Sequence, residues 1–530
     1  WKRYRGGMAT DLWLFDLRSL DAERLTTWEG TDTAPMWNGD DLYFLSDAGD
    51  EHRWNLWKLD VETGERTQVT DFEDFDVKEP SIGPGPDGDG EIVFQMGSGI
   101  HLLDLATGDL TTLEISIPGE RPDLRPESVD VSGNVMGWNV SSTGKRALVE
   151  MRGDVWSVPM EEGVPVNLTA SSGFAERNPT WSPDGRWIAW FSDESGEYEI
   201  WVRQSDGKDE SRRLGRFGAP YKEFMIWAPD SESIAYVDKT GTLYVVDVES
   251  GRRTEVNQDE WGNSPSVSWS HDAAWIAFTA AGPNMNGTIW LYEVETGEKT
   301  QVTSGMFDDG DPAFDREGDF LYYTSARAFT SPTYEDVGTT FVYDDTQVVL
   351  MVPLRRDVEI PGRPEDALEE WEDESDDDAD EDADTEGDDS DEEAEEEEAP
   401  LEIDLDGFEA RAVQLDLDND SYGALSVVDG GSIVYRRGGW GDGGLYVYDP
   451  HDDEPEEKQI IGGTGSYRLT ADGKKMLVRR GKNFALIDPK PDQKFEDAVS
   501  VEGFEATIDP RDEWNQIFTD SWRFFRDYFY

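Results

Sequence analysis

Two linked motifs recur along this chain at a spacing near 45 residues, and no other feature restricts its fold as much. The first is a short strand centred on an aromatic residue, often closed by Asp and a Thr-Gly or Ser-Gly turn. Its central residues are Trp13, Trp57, His101, Trp156, Trp201, Tyr244 and Trp290, at steps of 44, 44, 55, 45, 43 and 46. Leu56-Trp57-Lys58-Leu59-Asp60 with Thr63-Gly64 is a full copy. The second motif lies between these strands, and its best copy is Asn178-Pro179-Thr180-Trp181-Ser182-Pro183-Asp184-Gly185-Arg186-Trp187. Asp-Gly makes a tight hairpin because glycine accepts positive φ without strain. The flanking segments alternate apolar and polar residues, as half-buried strands do. Four-stranded units of this length need neighbours to cover their faces, and a closed ring leaves only short edges. The expected fold class is therefore all-β: tandem β-propellers with one helix at the C-terminal end.

The period slips once, between His101 and Trp156, across Pro118-Gly119-Glu120-Arg121-Pro122-Asp123. That segment reads as a domain junction. Residues 1–115 are expected to hold roughly the last three blades of a first propeller. Residues 120–508 are expected to hold a complete second one of seven blades. The fifth of these blades is expected to be followed by an acidic insertion, about 357–400, too charged to bury a core and so disordered.

At 530 residues the chain exceeds one ordinary domain unless repeats extend it. It has 118 acidic against 46 basic residues, a net charge of −72. Residues 365–398 hold 24 of the acids and no base, so the remainder still carries about −48. Acidity spread this way repels nucleic acid and anionic membranes, and neither is expected as a partner. It also suggests adaptation to high salt. No Cys is present, so disulfides, thiolate metal sites and cysteine nucleophiles are ruled out. No apolar run reaches the length of a membrane span. The start, Trp1-Lys2-Arg3-Tyr4, reads as the middle of a longer chain.

The C-terminal end changes character. Asp509-Pro510 supplies an N-cap and a first-turn proline, and Asp512 and Glu513 suit the positive end of the helix dipole. Trp514, Ile517, Phe518, Trp522, Phe525 and Phe529 follow at helical spacing. The helix is strongly amphipathic, and nothing left in the sequence covers its apolar face. Residues 509–530 are read as the first helix of a truncated helical or catalytic region.

Two propellers followed by an aromatic helix resemble the tricorn protease family over essentially the whole chain. The resemblance is carried by Trp1-Lys2-Arg3-Tyr4-Arg5-Gly6-Gly7 leading into Asp11-Leu12-Trp13, and by Asp74-Phe75-Asp76-Val77. It is carried further by Ile403-Asp404-Leu405-Asp406-Gly407-Phe408-Glu409-Ala410-Arg411, and by Glu513-Trp514 through Trp522-Arg523 to Arg526-Asp527-Tyr528-Phe529. It implies a six-bladed propeller, here partial, then a seven-bladed one, belonging to a cytoplasmic serine peptidase that degrades oligopeptides. Such peptidases often act downstream of the proteasome or similar proteases. It also implies a homo-oligomer, a hexamer, with the propellers filtering substrate and product. The catalytic residues of that family lie in later modules. No catalytic residue is therefore assigned to this chain, and no cofactor or metal ligand.

The residues themselves offer no other chemistry. The four histidines, His52, His101, His271 and His451, read as structural or solvated, and none is spaced as in a zinc site. Asp416, Asp418 and Asp420 approach a calcium loop, but Ser421 stands where the loop needs Gly. Gly438 to Gly444 and Gly462-Gly463-Thr464-Gly465 lack the Lys of a phosphate loop and read as hairpin loops, able to line a propeller mouth. Arg436-Arg437 and Arg479-Arg480 lie on strands, so one member of each pair is able to face a channel and hold a peptide C-terminus. The competing reading is surface ion pairing. At the level of function, a non-enzymatic propeller scaffold that binds proteins is the alternative to the peptidase reading. The propeller cap of a prolyl oligopeptidase-type enzyme is a third.

Overall fold

The computed structural model describes residues 4–116, 118–329, 332–334, 341–362, 400–438 and 443–529. Most of the acidic insertion falls outside these, so its expected disorder does too. The chain divides into two compact units, 1–120 and 121–530.

The first unit holds two four-stranded antiparallel sheets and a two-stranded ribbon of Trp13–Phe15 with Ala22–Arg24. The sheets span Asp32–Gln68 and Val77–Leu113. Leu45, Leu56, Ile92, Phe94 and Leu103 form the core between them. Leu12 packs the ribbon onto Leu42, Phe44 and Leu59.

The second unit holds seven four-stranded sheets, each antiparallel and in sequence order from its innermost to its outermost strand. The innermost strands are Val135–Val140, Glu176–Trp181, Lys222–Trp227, Val267–Trp269, Asp308–Phe314, Tyr422–Val427 and Tyr467–Leu469. They are numbered here as blades 1 to 7. A buried core joins every neighbouring pair: blades 1 and 2 through Val155 and Trp190, 2 and 3 through Phe191 and Tyr236, 3 and 4 through Ala235 and Phe278. Blades 4 and 5 join through Leu291 and Tyr323, 5 and 6 through Tyr322 and Tyr435, and 6 and 7 through Val434 and Met476. Trp138, Phe484 and Leu477 then join blade 7 to blade 1 and close the ring. Among the described residues, no strand is exchanged across this seam. A separate ribbon, Glu127–Asp130 with Glu505–Ile508, pairs the first and last segments of the ring and packs Val129, Val131, Ala506 and Ile508 against the seam core.

From Trp57 onward the aromatic motif is the third strand of a blade, whereas Trp13 lies in the two-stranded ribbon. In five copies the central residue faces a second-strand aromatic in the same register: Phe44 with Trp57, Phe94 with His101, Trp190 with Trp201, Tyr236 with Tyr244, Phe278 with Trp290; Trp156 faces Val149 instead. Such cross-strand pairs stabilise a sheet by about 0.2–1 kcal/mol each. The closing Asp organises the turn that follows. Asp60 Oδ1 accepts the backbone N–H groups of Glu62 and Thr63, and Asp104 does the same for Ala106 and Thr107. These bonds hold both carboxyls below their ordinary range.

One expectation is corrected. The acidic insertion does not follow blade 5; it interrupts it. The third strand ends at Pro353, and the outermost strand, Val413–Gln414, comes only after the insertion and pairs with Leu350 and Met351. A two-residue strand leaves no periodicity to read. The return segment is well tied down: Leu401 N donates to Asp272 Oδ2 at 2.8 Å, Trp275 Nε1 donates to the Leu401 carbonyl at 3.0 Å, and Phe408 is 2% exposed.

Candidate functional site

The innermost strands surround the ring axis, and most carry a β-bulge where they face it. Register shifts occur at Val135/Trp138, Arg177/Thr180, Lys222/Phe224, Gly310/Ala313 and Gly423/Ser426. Asn178, Asp311 and Ala424 sit in these bulges with φ of 51°, 46° and 54°. Left-handed backbone is strained for such residues and persists where the surroundings over-determine it. Here the surroundings are the neighbouring blades. Asn178 N donates to Glu150 Oε2 of blade 1 at 2.9 Å, and its Nδ2 donates to the Glu223 carbonyl of blade 3 at 2.6 Å. Ser266 Oγ of blade 4 donates to Asp311 Oδ1 at 3.0 Å, and Tyr467 Oη of blade 7 donates to the Ala424 carbonyl of blade 6. The channel wall is therefore cross-stitched from blade to blade.

A helix, α1 (Pro510–Tyr528), lies across blades 1 to 3 at the rim formed by the start of the innermost strands. Asp509 caps it by accepting from Arg511 N. It docks through charge. Arg152 of blade 1 holds Glu513 by two bonds of 2.6 and 3.0 Å. Arg177, on the innermost strand of blade 2, reaches Asp520 at 2.9 Å, donates to Tyr198 Oη at 2.9 Å and lies 3.6 Å from Glu150. Arg523 reaches Asp193 at 2.5 Å and the Gly196 carbonyl at 2.6 Å. Arg526 grips Glu197 with both nitrogens at 2.5 and 2.9 Å, and Tyr221 N donates to Asp527. The opposite face turns outward: Trp514, Ile517, Phe518, Trp522, Phe525 and Phe529 are between 52% and 75% exposed.

Under the helix lies a cleft of about 440 Å³, lined among others by Met136, Glu150, Arg152, Phe174, Arg177 and Ile517. The carboxyls of Glu150, Asp154 and Glu176 are buried nearby. Burial pushes all three up, and Glu176, with the Asp154 charge added, rises to about 8.

The histidines occupy four unrelated places. His101 is buried, stacked on Phe94 with centroids 5.6 Å apart, and its Nδ1 meets Thr112 Oγ1 at 3.1 Å. His52 meets Arg5 at 3.1 Å. His451 packs edge-on to Phe320. His271 lies against Gly318 in its hairpin. Among the described residues, none of the four hydrogen-bonds to a serine hydroxyl. The arginine pairs split. Arg437 takes Asp418 at 3.5 Å, Asp420 at 2.5 Å and Glu457. Arg436, Arg479 and Arg480 have no carboxylate partner among the described residues. Of the Gly438–Gly444 loop, residues 439–442 lie outside them.

A channelled ring with a helix docked on its rim belongs to the tandem-propeller proteins, and the comparisons identify the family. Residues 1–109 match the model of the tricorn protease N-terminal β-propeller domain, and residues 136–490 match that of the second β-propeller domain. The chain belongs to the tricorn protease family. It is 25% identical to tricorn protease homolog 1 of Streptomyces coelicolor, covering 100% of this chain and 50% of that protein. It is 23% identical to the tricorn protease homolog of Saccharolobus solfataricus, covering 99% and 46%. A crystal structure of the tricorn protease shares the fold, with a TM-score of 0.72 at 16% identity over 99% of this chain and 49% of that one. The chain thus spans about half the length of the curated relatives it matches. Among the described residues, no helix is long and apolar enough to cross a membrane.

Proposed function

We propose that this chain is the substrate-gating propeller portion of a tricorn-like serine peptidase that degrades oligopeptides. The observation that carries the reading is the seven-bladed ring itself, cross-stitched around its axis and bearing α1 on one rim, in a chain of the tricorn protease family. A ring held at every blade junction passes an extended chain and rejects a folded one, because widening it would break a buried core. The substrates are then unstructured peptides, not nucleic acid or anionic membrane, and the protein works in the cytoplasm as a homo-oligomer, a hexamer. The chemistry resides in modules outside these 530 residues, so the chain alone has no peptidase activity.

The test is to read the native gene on either side of these codons and assay the encoded protein beside the 530-residue chain. The expected result is hydrolysis of unstructured peptides by the longer protein, blocked by a serine-directed phosphonofluoridate, and none by the shorter. Hydrolysis by the 530-residue chain, or a gene with no peptidase module, would overturn the reading. The second case would leave a protein-binding scaffold.

A further inference from the structure

Blades 6 and 7 carry arginines that have no carboxylate partner among the described residues of a chain rich in carboxylates. Arg436 is the next-to-last residue of the second strand of blade 6, Ile433–Arg437, and Arg480 ends that of blade 7. Between them the chain crosses from the outermost strand of blade 6, ending at Gly462, to the innermost of blade 7, starting at Tyr467. Arg480 donates to the Gly462 carbonyl and rests on the Phe495 ring, 4.8 Å from its centroid. Arg436 lies along Gly465, where a Cβ would stand 3.3 Å from its Cδ. The Nε atoms of both guanidiniums are buried and have no hydrogen-bond partner.

The glycines here make room for the guanidiniums. A Cβ on Gly423 would come within 2.8 Å of Arg436 Nη2, yet Gly423 and Gly465 both lie outside the left-handed region that favours glycine. Backbone geometry does not require glycine at either position; a Cβ at either would push the Arg436 side chain from its present place. Asp311 lies nearby, its Oδ2 3.6 Å from the Cβ position of Gly423, and among the described residues no ion pair joins it to Arg436. One residue away, Arg437 is held by three carboxylates. Arg468, exposed on the innermost strand of blade 7, rests on the Trp138 ring and, among the described residues, hydrogen-bonds only to the neighbouring Tyr467 carbonyl.

We infer that Arg436 and Arg480, across the Gly462–Gly465 crossover, form a carboxylate-binding subsite at the channel rim. It takes the carboxylate of an extended peptide, at its C-terminus or on an acidic side chain. A guanidinium fork suits a carboxylate by paired charge-assisted hydrogen bonds, and the Nε donors of both arginines are unpaired among the described residues. The inference rests on the proposed passage of peptides.

Anisotropy of labelled peptides on the 530-residue chain at fixed ionic strength tests it. Three unstructured octapeptides serve: one without acidic side chains and with a free C-terminus, its C-terminal amide, and an amide carrying one Glu. The expected result is at least tenfold tighter binding of the free acid or the Glu peptide than of the plain amide, whichever carries the recognised carboxylate. Arg436→Gln/Arg480→Gln removes that preference. Arg436→Lys/Arg480→Lys, which keeps the charge without the fork, loses part of it and stands in should the first variant not fold. A preference retained in the folded variants overturns this site alone. Equal binding of all three peptides by the wild type does the same. No peptide binding by the wild type overturns the site and the passage reading together.

Discussion

Arg523 on α1 and Asp193 in blade 2 hold one another at 2.5 Å with side chains only 4% and 3% exposed. An ion pair this deep has lost its hydration on both sides, so it tolerates removal of both partners better than removal of one. The pair fixes the orientation of α1, because its neighbours Arg526 and Asp520 are set by the same turn of helix.

Arg523→Met and Asp193→Leu, made singly, are expected to loosen α1 by up to about 3–5 kcal/mol each, since each takes the nearest opposite charge from a buried group. Among the described residues, Arg523 then keeps only Asp520 at 3.7 Å and Glu197 at 4.0 Å, and Asp193 keeps only neutral donors, Ala175 N and Gln516 Nε2. The double variant should recover most of that loss. Amide exchange over residues 512–528, measured by mass spectrometry, reads the effect. Equal protection in wild type and both single variants would show that the pair does not hold the helix.

The expected pH dependence comes from Glu176. Its carboxyl is raised to about 8 by burial and the neighbouring Asp154 charge, while Ser171 Oγ donates to both oxygens at 3.2 and 3.1 Å. A carboxyl with a raised folded-state pKa favours folding at low pH. That contribution is complete below the unfolded value near 4.5 and is lost as pH climbs through about 8. Stability should fall by up to about 1.4 kcal/mol per pH unit across that window. Glu176→Gln should flatten the slope and melt higher than wild type at pH 8. Parallel stability curves for the two proteins would remove Glu176 as the cause.

Much of this architecture was legible because it is written locally. The Asp509-Pro510 start of α1 and the Asp184-Gly185 hairpin follow from residues within four positions of each other, and both stand in the structure as read. The docking of α1 was not legible. Helical periodicity assigns the apolar face to the interior, yet here the charged face is buried. The partners that reverse the rule, Asp193 and Glu197, lie some 330 residues away in the chain. The role of Gly423 and Gly465 was hidden for the same reason, since the side chain they accommodate comes from another strand. The outermost strand of blade 5 escaped notice because an insertion separates it from its sheet.

The outward face of α1 should be dispensable for the stability of this chain. Phe518 and Phe525 are 75% and 68% exposed, and surface substitutions away from special features stay within about 0.5 kcal/mol. Phe518→Ser/Phe525→Ser should therefore leave the melting temperature nearly unchanged while reducing self-association in light scattering. A drop of several degrees would mean that these rings are covered in solution.

The seam between blades 7 and 1 is the junction at which the chain does not run directly from one blade into the next, so its side-chain core and the ribbon of Glu127–Asp130 with Glu505–Ile508 hold it. Phe484 is 1% exposed and meets Trp138 edge-on, their centroids 5.8 Å apart. Phe484→Ala removes that contact and leaves a cavity, at a cost of about 3–5 kcal/mol. The same truncation at Phe191, between blades 2 and 3, removes a buried ring of similar size from a junction that the chain itself bridges. If the seam opens on its own, Phe484→Ala should expose the innermost strands of blades 1 and 7 to amide exchange before the rest of the ring, whereas Phe191→Ala should lower protection evenly. Even loss of protection in both variants would show that the ribbon of Glu127–Asp130 with Glu505–Ile508 closes the seam as firmly as a shared strand.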